Sequence, residues 1–231
     1  APRIGVVVVG AGPDAQKMAD YFAKNKITEE VELSRVLPVV EAISDAIDVP
    51  ISIDTQKAEV ARKAVETGAC VVNDVGGLRN NDMISTIAEL QIPVIIMHMQ
   101  GTPENMQKNP QYDDTVQDIK NWLEERIKAA EIAGIKRSNV IVDPGIGFGK
   151  NLKHNLEILG GLSELNDMAG GVLLGASRKS FIGFLTGAED SNRLTGSLAA
   201  AIMGATSGVD LVRVHDVKET RKAIDTINTL A

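Results

Sequence analysis

The sequence predicts a parallel α/β fold, and three observations carry that prediction. Short apolar runs rich in Val and Ile alternate with segments of helical periodicity along the chain. Hydrophobic residues make up 44% of the 231 residues while aromatics make up only 3%, so the core is built from branched aliphatics and Ala, as buried parallel strands under helices require. Finally, six apolar runs each end in a side chain that can hydrogen-bond or carry charge: Asp54, Asn73, His98, Asp143, the Ser177-Arg178-Lys179 trio and the Arg213/His215 pair. In a parallel α/β protein the carboxyl ends of all strands open on the same side, so these residues converge on one rim.

Taken in order, the first strand is expected over Ile4 to Val9. The following Gly10-Ala11-Gly12-Pro13-Asp14-Ala15 fits a dinucleotide fingerprint only formally, because Pro13 has no amide hydrogen and no acid-terminated strand follows about 20 residues later. Helices are expected over Asp14 to Lys24 and Glu29 to Ile47, with no apolar strand between them. Strand Ile51 to Asp54 leads to helix Lys57 to Thr67, stopped by Gly68. Strand Cys70 to Asp74 leads to helix Asp82 to Leu90, and strand Val94 to Met99 to helix Thr115 to Ala133. The last of these helices carries Val116, Ile119, Leu123, Ile127 and Ala130 on one face. Strands Val140 to Asp143, Val172 to Ala176 and Leu211 to Val214 complete the set, with helices Arg193 to Thr206 and Val217 to Leu230. Seven strands leave both an open sheet and a barrel possible, since a closed barrel of this kind needs eight. The long connection Gln100 to Asp114, with Gly101, Pro103, Asn109 and Pro110, is a candidate lid over the rim.

Composition narrows the function classes. A net charge of −7 gives no general attraction for nucleic acid or an anionic membrane, so any anionic ligand must be captured by local cations. The single cysteine, Cys70, is expected to be buried and fits a reducing compartment. No apolar stretch approaches the ~18 residues of a membrane span, and nothing linker-like divides the chain, so residues 1–231 read as one soluble, cytoplasmic domain.

The rim residues suggest a ligand. Asp54 and Asp143 both follow branched apolar residues and are expected at the bottom of the mouth, where a buried carboxylate needs donors that adjacent ligand N–H groups could supply. Asn73 adds an acceptor and two donors and Lys179 a positive charge, which suits a flat heterocycle of the pterin or guanine type. The Gly145-Ile146-Gly147-Phe148-Gly149-Lys150 run is one residue short of phosphate-loop spacing and lacks the following Ser or Thr. It lets backbone approach a ligand closely. Arg213 and His215, two residues apart on one strand face, form an anion trap with Arg178 and Lys179 nearby. His98, His154 and His215 have no zinc-site spacing.

The runs Ile51-Ser52-Ile53-Asp54-Thr55, Val72-Asn73-Asp74, Met97-His98-Met99-Gln100-Gly101-Thr102-Pro103, Asp143 to Lys150, Gly175-Ala176-Ser177-Arg178-Lys179-Ser180-Phe181 and Val212-Arg213-Val214-His215-Asp216-Val217 resemble dihydropteroate synthase, in order from about residue 27 to 231. The resemblance implies a TIM (β/α)8-type barrel that joins p-aminobenzoate to 7,8-dihydropterin-6-ylmethyl diphosphate, giving dihydropteroate and pyrophosphate in folate biosynthesis. It implies that Asp54, Asn73, Asp143 and Lys179 hold the pterin with Met97 and Phe148 near its ring, that Arg213 and His215 meet the leaving pyrophosphate, and that Ser177 and Arg178 face the aminobenzoate. Lys179, Arg213 and His215 would carry the catalytic charge stabilisation. A homodimer, magnesium with the pyrophosphate, and being a sulfonamide target are further family expectations.

The departure from the family is at residues 1–26. The family's Asn-Val-Thr-Pro-Asp-Ser-Phe and Asp-Ile-Gly-Gly-Glu-Ser segments do not occur, which coincides with the strand missing from the count. The first would supply an asparagine for magnesium and pyrophosphate, and both would supply loops that close over the transition state. Two alternatives follow: a pterin-binding barrel of the methyltetrahydrofolate methyltransferase type, against which the Ser177 and Arg213 motifs argue because methyl transfer has no pyrophosphate to hold, and a pterin-binding variant impaired in turnover.

Overall fold

A computed structural model describes the backbone of residues 5–8 and all of residues 28–187 and 192–230. Seven parallel strands form one curled sheet: β1 (Gly5–Val8), β2 (Ser52–Asp54), β3 (Val71–Asp74), β4 (Val94–Met97), β5 (Val140–Asp143), β6 (Gly171–Leu174) and β7 (Leu211–Val214), in the order β1-β7-β6-β5-β4-β3-β2. The helices are α1 (Glu29–Ala46), α2 (Ala58–Thr67), α3 (Asn81–Leu90), α4 (Thr115–Ile132), α5 (Leu152–Gly160), α6 (Ser180–Thr186), α7 (Leu194–Thr206) and α8 (Val217–Leu230). Consecutive strands from β2 to β7 are neighbours and β1 joins β7, which is the winding of a barrel. Among the described residues no pairing joins β1 to β2, so the barrel is open along that line and one strand short of eight. The expected helix Asp14 to Lys24 and the Gly10 to Ala15 turn lie outside the described residues.

Helix starts follow their side chains. Thr28 caps α1 by accepting from the Val31 amide, Asn80 caps α3 through Asp82 and Asp114 caps α4 through Gln117. Asn151 and His154 form a capping box at α5. Strand ends differ from expectation by a few residues. β4 stops at Met97 and β6 at Leu174, because His98, Ala176 and Ser177 already turn into the rim.

Register decides which residues form the site. Asp54 pairs with Asn73, Asn73 with Ile95, Met97 with Asp143 and Leu173 with Leu211, and side chains at paired positions share a face. With the two-residue period, Asp54, Asn73, Ile95, Met97, Asp143, Leu173 and Arg213 all point inward. The alternate positions Ile53, Val72, Val94, Ile96, Val140, Val142, Val172, Leu174, Val212 and Val214 point outward and make the main core with the helices, against residues such as Ile87, Leu123, Ile127, Ile158 and Ile224. The aliphatic outer face thus presents the polar strand ends to a shared interior. Cys70 is half-buried rather than fully buried, because it precedes β3 in the turn where its backbone amide bonds to the Ile51 carbonyl. No described helix is long and apolar enough to cross a membrane.

Candidate active site at the strand ends

Asp143 is the centre of the rim. It is 4% exposed on β5, in the middle of the sheet, and its Oδ1 accepts from the Gly145 amide at 2.7 Å. Burial pushes its carboxyl up from the ordinary range, while Lys179, the Gly145 hydrogen bond, Arg213 and Lys150 pull it back down. Gly145 adopts φ 69°, and a Cβ there would stand 2.0 Å from the His98 carbonyl oxygen, so this position accepts only glycine.

The glycine loop lies against the sheet mouth. Lys179 Nζ donates to the Ile146 carbonyl and sits 4.6 Å from the centre of the Phe148 ring. The Gln100 to Asp114 connection is docked on this loop: Gln107 Nε2 donates to the Gly147 carbonyl at 2.6 Å and the Tyr112 hydroxyl to the Gly149 carbonyl at 2.8 Å. Arg79 holds its start through the Met99 and Gly101 carbonyls while stacking over Trp122. Met97, Met99 and Met106 with Phe148 form a small apolar cluster separate from the main core.

Asp54 does not match the sequence expectation. Its side chain is 46% exposed rather than buried, because β2 is the last strand of the open sheet among the described residues. Its Oδ2 accepts from Arg213 Nη2 at 2.6 Å, a contact that reaches across the mouth to β7. Asn73 is buried beside it, and Asp74, on the outer face, ties the following turn by accepting from the Gly76 and Leu78 amides at 2.7 and 2.8 Å. Glu32 of α1 secures this side: it accepts from the Thr55 hydroxyl at 2.6 Å and pairs with Lys57.

On the opposite side, Ser177 Oγ lies 3.0 Å from His215 Nδ1 and accepts from the His215 amide at 3.2 Å. Burial, then Arg178, hold the His215 ring below its ordinary value, and Asp216 opposes them. Arg178 pairs through two guanidinium nitrogens with Asp216, which holds the Asp216 carboxyl low. The expected residues Asp54, Asn73, Met97, Asp143, Phe148, Ser177, Arg178, Lys179, Arg213 and His215 therefore occupy one mouth, in two groups around Asp143. Sequence reasoning missed Glu32 and Asp216 and read Lys150 only as a failed phosphate loop. A lysine directly after a glycine turn and between apolar segments was the available signal for a buried cation.

Chemically, this mouth holds a buried carboxylate, an amide, a lysine, an arginine and an imidazole, with a soft apolar cluster beside them. Such a set can hydrogen-bond a flat mixed-edge ring and stabilise a departing anion. Among the described residues it contains no Ser–His–acid relay, since the acid beside His215 is engaged by Arg178.

A family model described as pterin binding enzyme matches residues 20–215. The dihydropteroate synthase of Escherichia coli strain K12 is 45% identical over 199 residues, covering 86% of this chain and 71% of that protein. A Yersinia pestis dihydropteroate synthase in complex with a sulfonamide drug superposes with a TM-score of 0.86 at 42% identity, covering 88% of this chain and 74% of that one. The Stenotrophomonas maltophilia dihydropteroate synthase with active-site-bound imidazole gives a TM-score of 0.87 at 36% identity, covering 100% of this chain and 92% of that one.

Proposed function

The chain belongs to the pterin-binding dihydropteroate synthase family and is a transferase of folate biosynthesis, and from that premise we propose how its residues divide the work. Asp143 and Asn73 take the amino and ring N–H edge of the pterin, Lys179 its carbonyl, and Asp54 the outer edge. Met97 and Phe148 pack against the ring. Arg213 and His215 receive the diphosphate, and Ser177 and Arg178 guide p-aminobenzoate.

The reaction forms the bond between the aminobenzoate nitrogen and the pterin methylene carbon. The carbon–oxygen bond to the diphosphate breaks, pyrophosphate leaves with the electron pair, and the amine loses a proton. The side chains contribute positioning and charge stabilisation, with no covalent intermediate on the protein. The observation that carries this reading is the shared inward face of Asp54, Asn73, Met97, Asp143 and Arg213, which sets ring-binding groups and an anion-binding group within one mouth.

Magnesium enters this reading as a partner of the diphosphate oxygens, whose charge it would neutralise. Among the described residues no three His, Cys, Asp or Glu side chains stand together to hold a metal ion. A homodimer through α7 and α8, a single barrel domain over residues 1–231 and a cytoplasmic location complete the proposal. The dimer is supported by exposed Leu194, Met203 and Leu230 on those helices.

The test compares two ligands. Arg213→Ala is expected to weaken binding of the dihydropterin diphosphate about tenfold or more while changing free pterin binding much less, since a charge-assisted bond contributes roughly 1.5–3 kcal/mol. Equal losses for both ligands in calorimetry would refute the anion role.

A further inference from the structure

We propose that Lys150 is a positioning residue of this site: its amino group locks the end of β4 to the glycine loop and, as the ammonium, supplies a counter-charge for Asp143.

Lys150 is 3% exposed. Its Nζ contacts three acceptors, His98 Nδ1 at 2.9 Å, the Phe148 carbonyl at 2.9 Å and the His98 carbonyl at 3.4 Å. An ammonium has three hydrogens, and this arrangement uses all of them with His98 as the Nε2–H tautomer. The His98 ring is neutral, since burial and then Lys150 drive it down to about 2. Burial pushes Lys150 itself well down from its ordinary range, and Asp143 pulls it back up. Desolvating a cation is expensive unless its donors are satisfied and an opposite charge lies near, and both conditions hold here.

Each of the three contacts leads to the pterin site. The His98 amide donates to the Asp143 carbonyl at 2.9 Å, joining β4 to β5. The His98 carbonyl is the atom that Gly145 approaches. The Phe148 carbonyl belongs to the residue whose ring stands over Lys179. One buried side chain thus sets the relative position of the carboxylate, the ring platform and the loop between them.

Charge is the second part of the role. Asp143 is faced by Lys179 from the β6 end, Arg213 from β7, Lys150 from the glycine loop and the Gly145 amide. Removing one cation raises the pH needed to ionise Asp143, and pterin N–H groups bind the ionised form.

Lys150 has this role only if Asp143 and Phe148 bind the pterin, so the test carries a control for that reading. Calorimetry with dihydropterin diphosphate between pH 5 and 9 is run on the wild type, Lys150→Met and Asp143→Asn, together with the KM for p-aminobenzoate in turnover. Lys150→Met is expected to weaken the pterin ligand about tenfold, leave the aminobenzoate KM within about twofold, and move the acid limb of binding up by about one pH unit. An unmoved limb, or equal losses for both substrates, overturns the proposal and leaves Lys150 a packing residue. Should Lys150→Met not fold, His98→Phe removes one acceptor alone. A loss of about threefold confined to the pterin supports the role, and unchanged affinity overturns it. Asp143→Asn is expected to abolish both tight binding and the acid limb. If it binds like the wild type, the pterin reading itself falls, and the Lys150 role with it.

Discussion

Asp54 and Asp143 have nearly the same local sequence, Ile-Ser-Ile-Asp and Val-Ile-Val-Asp, yet they are different chemical objects. Asp143 is on the central strand, buried, and surrounded by three cations that do not fully offset its desolvation. Asp54 is on the last strand of the open sheet among the described residues, half-exposed, and held by a direct bond to Arg213. A strand of branched residues ending in an acid specifies that the carboxylate reaches the rim. How much water it keeps is set by which strands lie on either side. The interior acid is therefore the one whose desolvation a ligand's N–H donors can offset, whereas the edge acid is already bonded to Arg213.

Mutating the two acids separates them most widely. Asp143→Asn is expected to lower pterin affinity about a hundredfold or more, because two charge-assisted bonds contribute roughly 1.5–3 kcal/mol each. In the ligand-free protein the same change makes stability fall less steeply as pH rises. The folded carboxyl is raised above its unfolded value, so the wild type loses stability as pH increases from the unfolded toward the folded value, and Asn removes that loss. Thermal melts of both proteins from pH 4 to 8 check the sign. Asp54→Asn is expected to lower pterin affinity by less than about tenfold.

Next in size is the loop that covers the interior acid. Gly145→Ala is expected to destabilise the protein by about 2 kcal/mol or more, since φ 69° and the 2.0 Å approach to the His98 carbonyl both exclude a side chain. A denaturant midpoint equal to wild type would show that this loop is not held as described. The smallest effect belongs to the exposed pair. A double-mutant cycle of Asp54→Ala and Arg213→Ala in the absence of ligand should give a coupling of about 1 kcal/mol or less that shrinks with added salt. Strong, salt-insensitive coupling would mean that the edge pair is as dry as the interior one.

The same contrast explains what was legible in the sequence. Seven strands and their order of alternation were readable because outward positions such as Val72, Val94, Val142 and Val212 repeat an aliphatic pattern that parallel sheets require. The rim residues were readable because each terminates such a run. The exposure of Asp54 was not, because it depends on the edge beside β2 rather than on neighbours in sequence. Nor were the contacts of Glu32 with Thr55, 23 residues on, or of Lys150 with His98, 52 residues back, since no periodicity encodes a side chain reaching between elements. Nor was the pairing of Arg178 with Asp216, three residues after Arg213 in the chain but in hydrogen-bond range of Arg178 only through the fold.

The most direct measurement is mass-spectrometric detection of dihydropteroate after incubation of the protein with dihydropterin diphosphate, p-aminobenzoate and magnesium, beside a Lys179→Ala control. Product that appears with the wild type and falls about a hundredfold or more with the control is the expected result. A control that forms product as fast as the wild type would contradict the assignment of Lys179 to the pterin site, and a folded wild type that forms none would contradict the synthase account itself.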